Sequence, residues 1–119
     1  MRARVLVVDD NVDMVQSMTA LLGLGGFESR GCLFGTEAMH YVRDFDPDIV
    51  LLDIRMPGKS GWAVAEEIRK AKPGKRPVIV AISGEYARSN EPMPGGFDHF
   101  VRKPIEPEAL LGFLKELRP

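Results

Sequence analysis

This sequence is short of several things, and each shortage removes a class of function. A single cysteine, Cys32, excludes an internal disulfide and any multi-cysteine metal site. In such a setting a lone cysteine is most often a small buried residue. Histidine is nearly as scarce. His40 and His99 are far apart, and each reads as a lone surface side chain rather than a ligand. No apolar run approaches the roughly 20 residues that a membrane-spanning helix requires. Met1-Arg2-Ala3-Arg4 leads straight into a strand-like run, which leaves no room for a signal peptide. Membrane insertion is therefore not expected, and a cytoplasmic location is the default. An excess of one charge is also missing: 16 Lys and Arg face 17 Asp and Glu, scattered along the chain. Without a basic stripe, direct binding of nucleic acid is not expected. There is no internal repeat and no low-complexity tract, so the 119 residues read as one domain, residues 1–119. A chain of this size can bury a real core without staples.

What is present is an alternation of strand-like and helix-like segments, the signature of an α/β fold. Strands are expected at 4–8, 27–32, 48–53, 77–82 and 97–101. Apolar spacing predicts helices over 12–24, stopped by Gly25-Gly26, over 36–45 with Thr36 as a cap, and after Ser60, a plausible N-cap. A last helix opens at Glu106-Pro107-Glu108, where proline suits the first turn. The 27–32 run holds Glu28, Ser29, Arg30 and Gly31, which suits an edge strand. Between Gly84 and Gly96 only one or two turns, around 85–90, have helical character before Pro92 and Pro94 interrupt. The methionines form no helical stripe and read as core filler.

Chemistry is concentrated at strand ends. Val5-Leu6-Val7-Val8 ends in Asp9-Asp10, and Ile49-Val50-Leu51-Leu52 ends in Asp53. Runs this apolar suit parallel strands buried on both faces. Ligands of open α/β sheets bind outside the carboxyl ends of the strands. If these two strands are neighbours, three carboxylates meet. Two unit charges 4 Å apart repel by about 4 kcal/mol at an effective dielectric near 20, so such a cluster calls for a cation. Hard oxygen donors favour magnesium, and the lack of a Cys or His cluster disfavours zinc. The bland alternative is two solvated strand-end aspartates and a capping one. Two further strand ends weigh against it: Val78–Ile82 ends in Ser83-Gly84, and the last strand leads to Lys103-Pro104. A hydroxyl, an ammonium and three carboxylates on one rim suit a phosphoryl group.

Four stretches, in order and spacing, carry a family resemblance: Val7-Val8-Asp9-Asp10-Asn11, Leu51-Leu52-Asp53-Ile54-Arg55-Met56-Pro57-Gly58-Lys59-Ser60-Gly61, Ala81-Ile82-Ser83-Gly84 and Lys103-Pro104. With them the chain resembles the receiver domain of two-component response regulators over essentially its whole length. The resemblance implies a flavodoxin-like (βα)5 three-layer sandwich, with a parallel five-stranded sheet in order 2-1-3-4-5. It implies Asp53 as the phosphoacceptor, taking a phosphoryl group from a histidine kinase or a histidine phosphotransfer domain. Asp9 and Asp10 match the acidic pair that holds Mg2+ with Asp53, Asp10 directly and Asp9 at longer range through water. Arg55 matches the position whose backbone carbonyl is a further ligand. Ser83, followed by Gly84, matches the hydroxyl that approaches the phosphoryl group, and Lys103 the lysine that contacts it. Phe100 matches the aromatic switch position, and the Lys103-Pro104 bond is expected to be cis. Such a domain is a regulatory phosphoacceptor that catalyses only its own phosphorylation and dephosphorylation, and it signals to an output partner or fused domain.

The chain departs from the family pattern in two places. Phe100 carries no phenolic hydroxyl, and as a plain core residue it would need no switch role. The fourth-helix region is interrupted by Pro92 and Pro94, which suggests mobility or a reshaped output face. The stretch Gly96–Pro104 is similar to receivers attached to hybrid sensor kinases. Trp62 is expected to pack, with an edge free to line the rim. Three other functions compete. A haloacid-dehalogenase-like phosphatase would want a second aspartate two residues after the first, where this chain has Asn11 after the adjacent pair Asp9-Asp10. A flavodoxin-like carrier would want a hydroxyl-rich phosphate loop, where Asp9-Asp10-Asn11 would repel a flavin phosphate. A degenerate receiver would bind partners without phosphorylation, which the complete set of site residues argues against.

Overall fold

The computed structural model describes residues 2–74, 76–84 and 96–117. The expectations for 85–95, including the turns around 85–90 and the mobility of the proline-interrupted stretch, lie outside the described residues. Five strands alternate with helices: β1 (Arg4–Val8), α1 (Val12–Leu24), β2 (Glu28–Cys32), α2 (Ala38–Phe45), β3 (Ile49–Asp53), α3 (Gly61–Ala71), β4 (Val78–Ser83), β5 (His99–Arg102) and α4 (Pro107–Leu117). All pair in parallel, in the order β2-β1-β3-β4-β5. β2 is an edge, as its polar sequence suggests.

Side chains alternate across a strand, so each inner strand feeds two cores. Leu6, Val8, Val50, Leu52, Ile79 and Ala81 face α2 and α3, meeting Met39, Val42, Val64 and Ile68. Val5, Val7, Ile49, Leu51, Val80 and Ile82 face α1 and α4, meeting Val15, Met18, Leu22, Leu110 and Leu114. Full burial of each such side chain contributes roughly 1.5–3 kcal/mol, which fixes the register of β1 and β3 tightly. Met18, Met39 and Met56 are buried, as filler should be. No helix among the described residues is long and apolar enough to cross a membrane.

Several boundaries differ from the sequence reading, each for a local reason. Thr36 does not cap α2. Gly35–Glu37 forms a 3-10 turn closed by the Glu37 N–H on the Phe34 carbonyl at 3.0 Å, and α2 starts at Ala38 with no side-chain cap. β2 starts one residue late because the Phe27 N–H turns back to the Leu22 carbonyl and closes the end of α1. β5 runs 99–102, not 97–101. Asp98 uses its carboxylate on the Ile79 N–H (2.8 Å), and Phe97 stacks edge-on against Trp62, so the ladder begins at Val80 and His99. Ser60 caps α3 as expected, accepting from the Ala63 N–H at 3.3 Å.

Candidate functional site

Parallel pairing sets the carboxyl ends of β1 and β3 side by side, with Val8 opposite Leu52. The residues that follow them, Asp9, Asp10 and Asp53, offer carboxylate oxygens that all lie within 4.8 Å of one another. Asp9 and Asp53 are buried, at 3% and 6% exposure, while Asp10 is exposed. The Lys103 ammonium enters from the turn after β5. It stands 3.5 Å from Asp9 Oδ2 and 3.7 Å from Asp53 Oδ1. Lys103 is held there by its own N–H, which donates to the Ser83 carbonyl at 3.0 Å, and the Lys103-Pro104 bond is cis. A second cis bond, Arg76-Pro77, lies at the start of β4, away from the site.

The electrostatics are strained in a specific way. The pKa of Asp53 is raised from the ordinary carboxylate value to about 6. Burial is the main cause, and the Asp9 charge adds to it. Lys103 and a hydrogen bond from the Arg55 backbone N–H work against the rise, and Asp10 adds a smaller push upward. Asp9 Oδ1 accepts the Asn11 N–H at 3.0 Å, but its buried Oδ2 receives no hydrogen bond among the described residues. A buried carboxylate oxygen left this way is costly. Clustered hard oxygens, one of them buried with no hydrogen bond and only the Lys103 ammonium at 3.5 Å facing it, fit a small divalent cation such as magnesium. This is the one group of three or more potential ligands among the described residues. His40 and His99 take no part. Their rings pack edge-on against Tyr41 and Phe113.

Beside this centre lies a cavity of about 650 Å³ lined by Ile54, Arg55, Met56, Pro57, Ser60, Trp62 and Ser83. Ser83 closes β4 and is buried, one strand away from Asp53. Gly84 follows it on the exposed side, where a Cβ would meet the Lys103 Cβ at 3.8 Å. Phe100 is the site residue that the fold sets apart. It pairs with Ala81 in mid-strand, packs against the α2 and α3 core, and lines a groove with Phe113 and Pro104 rather than the acidic cluster. Asn11 enters the sequence reading only as part of a family stretch, and its capping role is missed there: its side chain caps α1 at Met14 (3.1 Å) while its N–H fixes Asp9. The signal was there, since an asparagine directly before a helical apolar pattern is a good N-cap. Gly61, present in the sequence reading only as part of a family stretch, makes a close approach to the Asp53 backbone that a sequence does not display.

Three carboxylates and a lysine ammonium thus meet at the carboxyl edge of a parallel, doubly wound α/β sheet. The model of the family described as response regulator receiver domain matches residues 5–115, and the chain belongs to that family. It is 33% identical over 111 residues to the DNA-binding response regulator MtrA of Mycolicibacterium paratuberculosis, covering 93% of this chain and 49% of that protein. It is 30% identical over 118 residues to the chemotaxis protein CheY of Thermotoga maritima, covering 98% of each. Among solved structures, it superposes on chemotaxis protein CheY4 of Vibrio cholerae with a TM-score of 0.85 at 25% identity, over 99% of this chain and 100% of that one. The chain thus spans about half the length of the MtrA proteins it matches and nearly all of a CheY.

Proposed function

We propose that the chain is a phosphorylation-controlled signalling switch, in which Asp53 accepts a phosphoryl group from the phosphohistidine of a histidine kinase or histidine phosphotransfer domain. One observation carries the reading: the Asp53 carboxylate ends the central strand inside a three-carboxylate cluster, with the Lys103 ammonium 3.7 Å away. A carboxylate oxygen of Asp53 attacks phosphorus, the P–N bond breaks, and the imidazole leaves with the electron pair and takes up a proton. Lys103 offsets the charge on the equatorial oxygens, and the Arg55 N–H holds the carboxylate in place, so positioning and electrostatics carry the catalysis. Magnesium, held by Asp9, Asp10, Asp53 and the Arg55 carbonyl, supplies further positive charge when bound. Ser83, with Gly84 behind it, donates to the new phosphoryl oxygens, and Phe100 repacks in response. The chain catalyses only its own phosphorylation and dephosphorylation. Its output goes to a partner or a fused domain.

The test is incubation with magnesium and acetyl phosphate, read by intact mass. Wild-type protein gains one phosphoryl group and an Asp53→Asn variant gains none. An unchanged mass in folded, magnesium-bound protein would replace this reading with that of a receiver that binds partners without phosphorylation.

A further inference from the structure

The loop between β3 and α3 carries Arg55 and walls the cavity beside Asp53. Two glycines seat it. At Gly61, the first residue of α3, the helix comes down directly on the backbone of the phosphoacceptor. A Cβ there would stand well inside 3.0 Å of the Asp53 carbonyl oxygen and 2.7 Å from Ile54 Cα. The Gly61 N–H closes the loop by donating to the Ile54 carbonyl at 2.9 Å. At the far side, buried Gly35 supports the loop from the β2–α2 connection, where a Cβ would stand 2.7 Å from the Lys59 carbonyl oxygen and 3.1 Å from Val64 Cγ2. The closest obstacle at each position is a backbone atom, so no side-chain rotation relieves the clash. The loop itself has to shift. Neither glycine has a positive φ, so the requirement is close approach rather than backbone conformation.

From these contacts we infer that Gly61 and Gly35 are positioning residues for the phosphoryl-transfer site. Gly61 sets the Asp53–Ile54 peptide, and through it both the Asp53 carboxylate and the Arg55 segment, whose N–H binds that carboxylate. Adding one methyl group at Gly61 forces the Asp53 carbonyl away from the helix by several tenths of an ångström. Misplacement on the scale of 1 Å can lower a rate by about 100-fold. Gly35 acts four residues beyond Arg55, and a methyl group there displaces the loop at Lys59.

The inference rests on the reading of Asp53 given above, and the test separates the two. Acetyl-phosphate labelling of wild-type protein tests that reading, and comparison of alanine variants tests this one. Gly112, in α4, has nothing within 4 Å of an added Cβ and serves as the matched control. Trp62 is the only tryptophan and lines the cavity beside Asp53, so its fluorescence is followed in a magnesium titration without phosphoryl donor, with isothermal titration calorimetry giving the half-saturation independently. Gly61→Ala should lower the labelling rate at saturating acetyl phosphate at least ~10-fold and raise the magnesium half-saturation several-fold. Gly35→Ala should do the same to a smaller degree, about 3-fold in rate, and Gly112→Ala should stay within about 2-fold of wild type. If Gly61→Ala does not fold, Gly35→Ala decides. Wild-type rate and wild-type magnesium half-saturation in a folded variant, with only the melting temperature lowered, would overturn the proposal. The glycines would then serve stability alone.

Discussion

At the scale of single residues, the informative quantity is the proton on Asp53. Its pKa of about 6 lies well above the ordinary carboxylate value because the fold buries it beside Asp9. Between that ordinary value and about 6, the native state keeps a proton that the unfolded chain has released. The contribution of Asp53 to stability without a divalent cation therefore falls as pH rises through this window and levels off above it. A shift of roughly two units corresponds to about 3 kcal/mol at most. In EDTA, urea unfolding at pH 4 and pH 7.5 should show Asp53→Asn losing about 2–3 kcal/mol less than wild type across that range. Equal pH dependence in the two proteins would mean that Asp53 is not desolvated as the geometry requires. The sequence alone placed Asp9, Asp10, Asp53, Ser83 and Lys103 on one rim, because apolar strands ending in polar residues announce their own carboxyl ends. It did not show which carboxylate would be buried. Burial depends on the tertiary packing around the strand ends, with Lys103 brought in from far along the chain.

At the scale of elements, existence was legible and boundaries were not. The stretch 97–101 reads as a strand from end to end, but Phe97 and Asp98 are committed to α3 and β4, so the ladder starts at His99. Thr36 has the right chemistry for a cap but lies inside a 3-10 turn, Gly35–Glu37, that precedes the helix. Asn11 is the reverse case, an effective cap whose backbone also serves the site. Its two roles can be separated. Asn11→Ala removes the side-chain oxygen that caps α1 and leaves the N–H that fixes Asp9. Stability should drop by about 1 kcal/mol, seen as a lower urea midpoint. Magnesium half-saturation, followed through Trp62, should stay within about 2-fold of wild type, since a backbone donor survives the substitution. A large loss of magnesium affinity would show that the first turn of α1, and not the N–H alone, organises Asp9.

At the scale of the whole molecule, the unbroken apolar runs of the inner strands are enough to require helices on both faces of the sheet. The strand order β2-β1-β3-β4-β5 came from the family resemblance rather than from any residue pattern. On the proposed function, the response to phosphorylation would be a property of the assembled core. Ser83 sits at the end of β4 by the cavity, whereas Phe100 lies in mid-strand on β5 and packs toward α2 and α3, so the two report on different parts of the same face. Inverting a two-state population from 1:99 to 99:1 takes about 5.5 kcal/mol, and a hydrogen bond from Ser83 to a charged phosphoryl oxygen contributes about 1.5–3 kcal/mol. The remainder must come from Lys103 and the repacking around Phe100. A fully phosphorylated Ser83→Ala chain should therefore still be shifted, with roughly 40–90% of molecules in the phosphorylated-like conformation. For a fast two-state exchange, its amide resonances would lie part-way along the line joining the free and phosphorylated wild-type positions. Resonances that stay at the free positions despite complete labelling would make the Ser83 hydroxyl the sole trigger, and resonances at the wild-type phosphorylated positions would remove it from the switch.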